Sequence, residues 1–180
     1  MGEEKEAEFY TGKGYTDKAI QRYMPIYTKV IELLSNCYKS GRIVEFGSGV
    51  GVLAKMLHDV GYTSYLGIDF SPSMLALSKK RAQHQSFLQL DLRDDAPSFY
   101  TGCQYFIALE TLEHIKEDLR VLGNIPKGAH VIFSVPTYNF KAHVRYFKTQ
   151  EEVRAHYDAS IQIEFCELIS KIWVCKGRKK

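Results

Sequence analysis

The sequence predicts one α/β domain with a mostly parallel seven-stranded sheet, helices on both faces, and an antiparallel hairpin at its C-terminal end. Short apolar, β-branched runs alternate along the chain with segments whose apolar residues recur at helical spacing. Such alternation is typical of parallel strands joined by right-handed helical crossovers. The last two apolar runs are too close together for a crossover, so we expect them to pair as an antiparallel hairpin.

Length and composition agree with a single domain over residues 1–180. Hydrophobic residues make up 45% of the chain and charged residues 25%, which is an ordinary balance for a folded domain. No apolar run approaches the roughly 20 residues that a membrane span needs, and the charged N-terminus does not resemble a signal peptide. No C-x-x-C pair occurs among the four cysteines, so we expect a reducing cytoplasm; they are Cys37, Cys103, Cys166 and Cys175.

The chain begins with a polar segment, residues 1–16, whose glycines and tyrosines suggest a mobile arm or a lid. A helix is predicted over residues 17–41, with Asp17 as its N-cap. Pro25 lies within this segment and predicts either a kink or a later start of the helix.

The remaining elements follow in alternation. Strands are predicted at 42–47, 64–70, 86–92, 104–110, 129–136, 161–169 and 171–178, and helices at 50–61, 71–83, 112–124 and 151–157. Ser71 is a suitable cap for the helix that continues with Pro72. Segments 93–98 and 137–150 are predicted to be loops.

A glycine-rich turn follows the first strand, in the run VEFGSGVG at residues 44–51. No lysine follows these glycines as it does in a phosphate-binding P-loop. Val52 occupies the position of the third glycine in a dinucleotide fingerprint. The pattern therefore favours a ligand that has no pyrophosphate.

From about Tyr15 to the C-terminus, the chain resembles class I S-adenosylmethionine-dependent methyltransferases. Four runs carry this resemblance in family-like order: VEFGSGVG, LGIDFS, FLQLDLRD and ALETLEHI. The resemblance implies a Rossmann-like three-layer sandwich and methyl transfer from S-adenosylmethionine, with S-adenosylhomocysteine as the product. The run E-x-x-E-H is also similar to that of ubiquinone-pathway O-methyltransferases.

The resemblance further implies where the cofactor binds. The acid and the glycines of the first run hold the methionine part, Asp69 accepts hydrogen bonds from the ribose, and Asp91 faces the adenine amino group. Independently, one carboxylate at a strand end can accept both ribose hydroxyls. A cationic sulfonium also tolerates several nearby carboxylates. The residues expected to bind the cofactor are Tyr15, Glu45, Phe46, Gly47, Ser48, Gly49, Gly51, Asp69, Phe70, Met74, Asp91, Leu92 and Glu110.

Glu110, Glu113 and His114 form an E-x-x-E-H run, and on a helix they would share one face. Glu113 could cap that helix while His114 packs. Alternatively, His114 or His143 is a general base. In a third interpretation, two carboxylates and two histidines hold Mg²⁺ or a transition metal, as in the similar small-RNA 2′-O-methyltransferases. The downstream H-V-R departs from those enzymes, so we assign Glu113, His114 and His143 to catalysis and assign no metal ligand.

The loop 137–150 is rich in aromatic and basic residues, and we expect Tyr138 and Arg145 to bind the acceptor. The sequence thus predicts methyl transfer to oxygen or nitrogen of a small molecule by a monomer or homodimer. An RNA 2′-O-methyltransferase with a metal at the E-x-x-E-H run is the alternative, although a net charge of +3 is modest for nucleic-acid binding. A cofactor-binding protein without transfer activity is a further alternative.

Overall fold

The computed structural model describes residues 2–94 and 97–180. Within them lie α1 (Asp17–Ser35), α2 (Val52–Asp59), α3 (Pro72–Arg81), α4 (Asp118–Gly123) and α5 (Gln150–Tyr157). The strands are β1 (Ile43–Phe46), β2 (Tyr65–Asp69), β3 (Ser86–Gln89), β4 (Tyr105–Leu109), β5 (His130–Pro136), β6 (Ile161–Ile169) and β7 (Ile172–Lys179). The predicted loop 93–98 includes residues 95 and 96, which lie outside the described residues.

The strands of the described residues form one seven-stranded sheet in the order β3-β2-β1-β4-β5-β7-β6. Strands β1 to β5 run parallel, and β7 runs antiparallel to both β5 and β6. The predicted fold class is confirmed, including the C-terminal hairpin. The chain moves outward from β1 to β3 and then returns to the other side of β1 at β4. In open α/β sheets, such a reversal leaves a ligand-binding crevice at the carboxyl ends of the strands.

Hydrophobic residues cover both faces of the sheet, as three layers require. On one face, Val44 and Phe133 pack with Val121 of α4 and Tyr157 of α5. The opposite face packs against α1 and α2, through a cluster that includes Ile26, Val30, Leu34, Ile43, Leu53, Leu57, Ile107 and Ile132. Because both faces are buried, the parallel strands show continuous apolar runs rather than alternation. None of the helices in the described residues is long and apolar enough to cross a membrane.

Helix starts were predicted with mixed success. Ser71 caps α3 as predicted, because its side chain accepts a hydrogen bond from the N–H of Met74. The prediction of Asp17 as the cap of α1 is wrong: Thr16 is the cap, and its hydroxyl accepts from the N–H of Ala19. Pro25 lies inside α1 and does not delay its start.

The helix predicted over 112–124 is interrupted. A 3-10 turn covers Leu112–His114, Ile115 is extended, and α4 begins only at Asp118. The guanidinium of Arg145 donates to the carbonyls of Leu112 at 2.6 Å and Ile115 at 2.5 Å. In a continuous helix those carbonyls would accept from main-chain N–H groups four residues later. A side chain from a distant loop therefore replaces helical hydrogen bonds that the local sequence favours.

The hairpin turn consists of Ser170 and Lys171, with φ of 49° and 71°. Two consecutive left-handed residues suit the right-handed twist of a hairpin, although Asn-Gly is the usual sequence there. The sequence identified the hairpin from the proximity of its strands and not from its turn residues.

Candidate active site

A cavity of about 740 Å³, part of it open to solvent, lies at the carboxyl edge of the parallel strands. The segments that follow β1, β2, β3 and β4 form its walls, together with the N-terminal arm, residues 2–16. Most of the residues expected to bind the cofactor line it: Tyr15, Gly47, Gly49, Asp69, Phe70, Met74, Asp91, Leu92 and Glu110.

The glycine turn brings the backbone close to the segment after β4. Gly47 has φ of 69°, and a Cβ atom there would lie 2.3 Å from the hydroxyl oxygen of Thr111. That hydroxyl is already 3.0 Å from the carbonyls of both Phe46 and Leu109. Glycine is required at this position because any side chain would separate the turn from β4.

Asp69 is oriented by the main chain around it. One carboxylate oxygen accepts from the N–H of Gly49 at 2.8 Å, and the other accepts from the N–H of Ser71 at 2.9 Å. Burial raises the pKa of Asp69, whereas these N–H groups oppose that shift. The carboxylate therefore joins the ends of β1 and β2 and faces the cavity in a defined position.

Asp91 is bound by a neighbouring cation. Arg93 donates to its carboxylate through Nε at 3.0 Å and Nη2 at 2.6 Å, and through its main-chain N–H at 2.8 Å. Partial burial would raise the pKa of Asp91, but Arg93 outweighs it and lowers the pKa. Nη2 of Arg93 also donates to Glu6 in the arm at 3.0 Å. The sequence did not single out Arg93, since its partner in the arm is distant in the chain.

Glu45 is not part of the cavity lining, and the same holds for Phe46, Ser48 and Gly51, whose assignment to cofactor binding stays a prediction. The Glu45 carboxyl is only 4% exposed, within the sheet, and accepts a hydrogen bond from the hydroxyl of Tyr65. Burial raises its pKa to about 8. The motif residue thus lies against Tyr65, outside the lining of the cavity.

Glu110 stands at the end of β4 in a left-handed conformation, with φ of 48°. Its N–H donates to the hydroxyl of Ser134 at 2.9 Å, and that hydroxyl donates to its carboxylate at 3.0 Å. Burial raises the pKa of Glu110 to about 7. Residues other than glycine rarely adopt this backbone conformation, and such backbone strain is typical of functional positions.

Glu113, His114 and His143 lie together, each with a potential ligand atom within 4.8 Å of the others. His114 Nδ1 is 2.9 Å from the carbonyl of Ala142, and His143 Nδ1 is 3.2 Å from that of Tyr138. Because a carbonyl only accepts, each Nδ1 carries a proton and each Nε2 keeps its lone pair. Burial lowers the pKa of His114 to about 4 and also lowers that of His143, which favours the neutral form of both rings.

The Glu113 carboxyl does not cap a helix. It is fully buried, and neither of its oxygens has a hydrogen-bond partner among the described residues. One oxygen lies 3.9 Å from Nε2 of His114. Burial raises the pKa of Glu113, and the nearby Glu110 raises it further. Of the three residues assigned to catalysis, only His114 lines the cavity, while Glu113 and His143 lie behind it.

The residues expected to bind the acceptor are also outside the cavity lining. Tyr138 is 37% exposed in the loop after β5. The Arg145 guanidinium contacts the 3-10 turn, donates to the carbonyl of Lys116 at 2.7 Å, and lies 3.1 Å from Asp118. These contacts give Arg145 a structural role, which is to hold the 3-10 turn and the start of α4 in place.

The arm contributes residues that the sequence did not identify individually. Tyr10 lines the cavity, and its ring packs edge-on against His114 at 5.8 Å between centroids. Its carbonyl accepts from the hydroxyl of Ser71 at 2.7 Å. At the start of the arm, the N–H of Gly2 donates to the carbonyl of His143 at 2.8 Å. The arm thus crosses the cavity from one wall to the other.

Sequence comparison matches residues 18–169 to the family described as "Methyltransferase domain". This chain belongs to that family. The protein is therefore a methyltransferase, and the donor used by this class of enzyme is S-adenosylmethionine, as the glycine motif and strand-end acids led us to expect. None of the proteins of curated function that were compared matches the sequence.

Solved structures show the same fold. Magnesium protoporphyrin IX methyltransferase (ChlM) from Synechocystis PCC 6803, with bound SAH, has a TM-score of 0.72 at 15% identity, over 97% of this chain and 98% of that one. The N-methyltransferase NodS from Bradyrhizobium japonicum WM9, also with S-adenosylhomocysteine, has a TM-score of 0.74 at 13% identity, over 96% and 97%. A putative methyltransferase in complex with the Haloferax volcanii Trm112 activator has a TM-score of 0.74 at 14% identity, over 97% of both chains.

Proposed function

We propose that this methyltransferase moves the methyl group of S-adenosylmethionine to an oxygen or nitrogen atom of a small-molecule acceptor. One observation carries the proposal. The groups expected to hold the donor, Gly49, Asp69, Asp91 and Glu110, share a single cavity with His114, whose free imidazole nitrogen is suited to acceptor chemistry. Positioning of the two reactants in one enclosed volume supplies much of the acceleration of such a displacement.

The arm over the cavity favours a small acceptor. Tyr10 and Tyr15 both line the cavity, so the ligand is enclosed by the protein's own chain rather than exposed along a groove. Neighbours of similar fold are described as acting on magnesium protoporphyrin IX or as N-methyltransferases, which leaves oxygen and nitrogen as equal candidates for the acceptor atom. We propose a monomer or a homodimer as the active form.

Calorimetric titration with S-adenosylmethionine and with NAD tests the donor. We expect binding of S-adenosylmethionine and none of NAD; the opposite result would contradict the proposal. The acceptor is then sought by measuring release of S-adenosylhomocysteine in the presence of phenols, amines, carboxylates and short RNA. Turnover of a small molecule supports the proposal. Donor binding without turnover of any acceptor would support a cofactor-binding protein instead.

The cluster of Glu113, His114 and His143 favours a second candidate, a metal-dependent RNA 2′-O-methyltransferase. Imidazoles and a buried carboxylate that has no hydrogen-bond partner among residues 2–94 and 97–180 fit the donor set of a divalent metal. A metal held there would polarise an acceptor hydroxyl.

The metal-dependent candidate predicts one bound metal per chain by elemental analysis. It also predicts loss of RNA methylation with EDTA and its recovery with added Mn²⁺ or Mg²⁺. Retention of full activity with EDTA, together with RNA binding that does not weaken steeply with salt, would exclude it.

A further inference from the structure

Exposed aromatic side chains gather beside the cavity. Among the described residues, the phenylalanines and tyrosines whose side chains are exposed all lie in the arm or in the loop after β5: Phe9, Tyr15, Tyr138 and Phe140. Phe9 is 39% exposed and Phe140 is 47% exposed. A single exposed aromatic residue is ordinary, but several in one place are typical of a binding surface.

The arm and the loop form one continuous surface here. The N–H of Glu3 donates to the carbonyl of Lys141 at 3.2 Å, next to the hydrogen bond between Gly2 and His143. The ammonium of Lys141 lies 5.0 Å from the centre of the Phe9 ring, which is a cation–π contact between the loop and the arm. We call this surface the aromatic rim; its residues are Phe9, Tyr138, Phe140 and Lys141.

Ring contacts connect the aromatic rim to the cavity. The ring of His143 lies 5.4 Å from that of Phe140 and 5.0 Å from that of His114, between centroids. On the arm side, the ring of Phe9 packs edge-on against that of Tyr10 at 5.1 Å. Both His114 and Tyr10 line the cavity. An acceptor whose reacting atom enters beside His114 can therefore place the rest of its atoms on the rim.

The aromatic rim also carries a positive charge. Lys141 is exposed and forms no ion pair with a carboxylate among residues 2–94 and 97–180. The carboxylate of Glu3, whose main chain adjoins Lys141, lies instead 3.3 Å from the ammonium of Lys5. Aromatic faces beside an unpaired ammonium complement a planar ring that bears an anionic substituent. An aliphatic amine would use neither feature.

We propose that the aromatic rim binds the planar aromatic body of an acceptor that also carries an acidic group, such as a carboxylate. The inference rests on the proposed function and narrows its small-molecule acceptor to one class. Phe9 and Phe140 pack against the aromatic body, and Lys141 pairs with the acidic group. The hydroxyl or amine that receives the methyl group then points into the cavity beside His114.

Two fluorescent probes with the same rings test the rim: 8-anilinonaphthalene-1-sulfonate, and N-phenyl-1-naphthylamine, which lacks the sulfonate. We expect the wild type to bind the sulfonate at least fivefold more tightly. Lys141→Gln should remove that difference, and Phe140→Ala should weaken binding of both probes fivefold or more. Leu168→Ala is the matched control, because Leu168 is 49% exposed on β6, and it should change either affinity less than twofold.

Equal affinities of the wild type for the two probes, or equal losses in Phe140→Ala and Leu168→Ala, would overturn the inference. If Phe140→Ala does not fold, Phe9→Ala provides the same test from the arm side. Saturating S-adenosylhomocysteine should leave the sulfonate probe bound, and full displacement would overturn the inference because the probe would then occupy the donor's place. Binding to phosphatidylglycerol vesicles that Phe140→Ala abolishes would overturn it in favour of a membrane surface.

Turnover distinguishes this inference from the proposed function. The acceptors 6-hydroxy-2-naphthoate and 2-naphthol offer the same hydroxyl, and release of S-adenosylhomocysteine is measured with each. We expect the acid to have a KM at least fivefold lower, and Lys141→Gln to remove that difference. Turnover of aliphatic amines in preference to both would support the proposed function and overturn the inference. Absence of S-adenosylmethionine binding would contradict the proposed function, whereas the probe affinities would still decide whether the rim binds aromatic acids.

Discussion

Tyr65 donates a hydrogen bond to the carboxyl of Glu45 inside the sheet, two residues before the first glycine of the turn. Glu45 belongs to the motif by which the cofactor site was identified, yet it faces Tyr65 and not the cavity. Because burial raises its pKa from 4.5 to about 8, the folded protein keeps a proton there that the unfolded chain releases.

The first prediction concerns stability and pH. Between pH 4.5 and 8 the folded state holds one proton more than the unfolded state at Glu45, so the free energy of unfolding falls by up to about 1.4 kcal/mol per pH unit. Glu45→Gln should flatten this part of the profile, measured by urea denaturation from pH 5 to 8. Tyr65→Phe removes a hydrogen bond that lowers the pKa of Glu45, and should extend the decline above pH 8. An unchanged profile in Glu45→Gln would contradict the assignment.

The second prediction concerns the arm, which we propose acts as a lid over the cavity. Glu6 joins it to Arg93 through an exposed ion pair, and such pairs are weak because water screens them. Glu6→Gln should therefore raise the dissociation rate of S-adenosylmethionine about two- to fivefold, measured by stopped-flow displacement. Glu8→Gln is the control, since Glu8 forms no ion pair within residues 2–94 and 97–180. Identical rates in the two variants would contradict a closing role for this contact.

The third prediction concerns Arg145. Arg145→Ala removes hydrogen bonds to three carbonyls and leaves Asp118, which is 1% exposed, without its nearest guanidinium. We expect the free energy of unfolding to fall by about 3 kcal/mol, since breaking a buried pair is strongly destabilising. Lys148→Ala, an exposed change in the same loop, should cost less than about 0.5 kcal/mol. A higher KM for the acceptor with unchanged stability would instead support a substrate-binding role.

The fourth prediction concerns the glycine turn. Gly47→Ala places a Cβ atom against Thr111 in addition to straining a left-handed backbone, and should abolish measurable binding of S-adenosylmethionine. Gly61→Ala is the control: Gly61 also has a positive φ, of 95°, but has nothing within 4 Å of the added atom. It should cost about 1 kcal/mol of stability, measured thermally, and leave cofactor affinity intact. Retained binding in Gly47→Ala would contradict the close packing of the turn.

The fold was predictable because its signals are local. Buried parallel strands produce apolar runs, helices produce a 3.6-residue period, and the interval between runs determines whether a crossover or a hairpin joins them. The same logic brought Asp69 and Asp91 to one edge of the sheet, since Asp69 ends β2 and Asp91 follows β3. The sequence predicted a helix for the E-x-x-E-H run but not its interruption. The interruption depends on Arg145, which lies in a loop about thirty residues away.

By itself, the sequence determined the parallel strands with their C-terminal hairpin, the edge of the sheet at which we expect a ligand to bind, and the family to which the chain belongs. All three follow from short-range pattern and motif spacing. Only the tertiary structure decided that Glu45 is buried against Tyr65 and that Arg145 stabilises a turn. It also showed that the arm reaches Arg93 and that Glu110 lines the cavity. The physical reason is that the charge and burial of each side chain depend on partners from segments far apart in the chain.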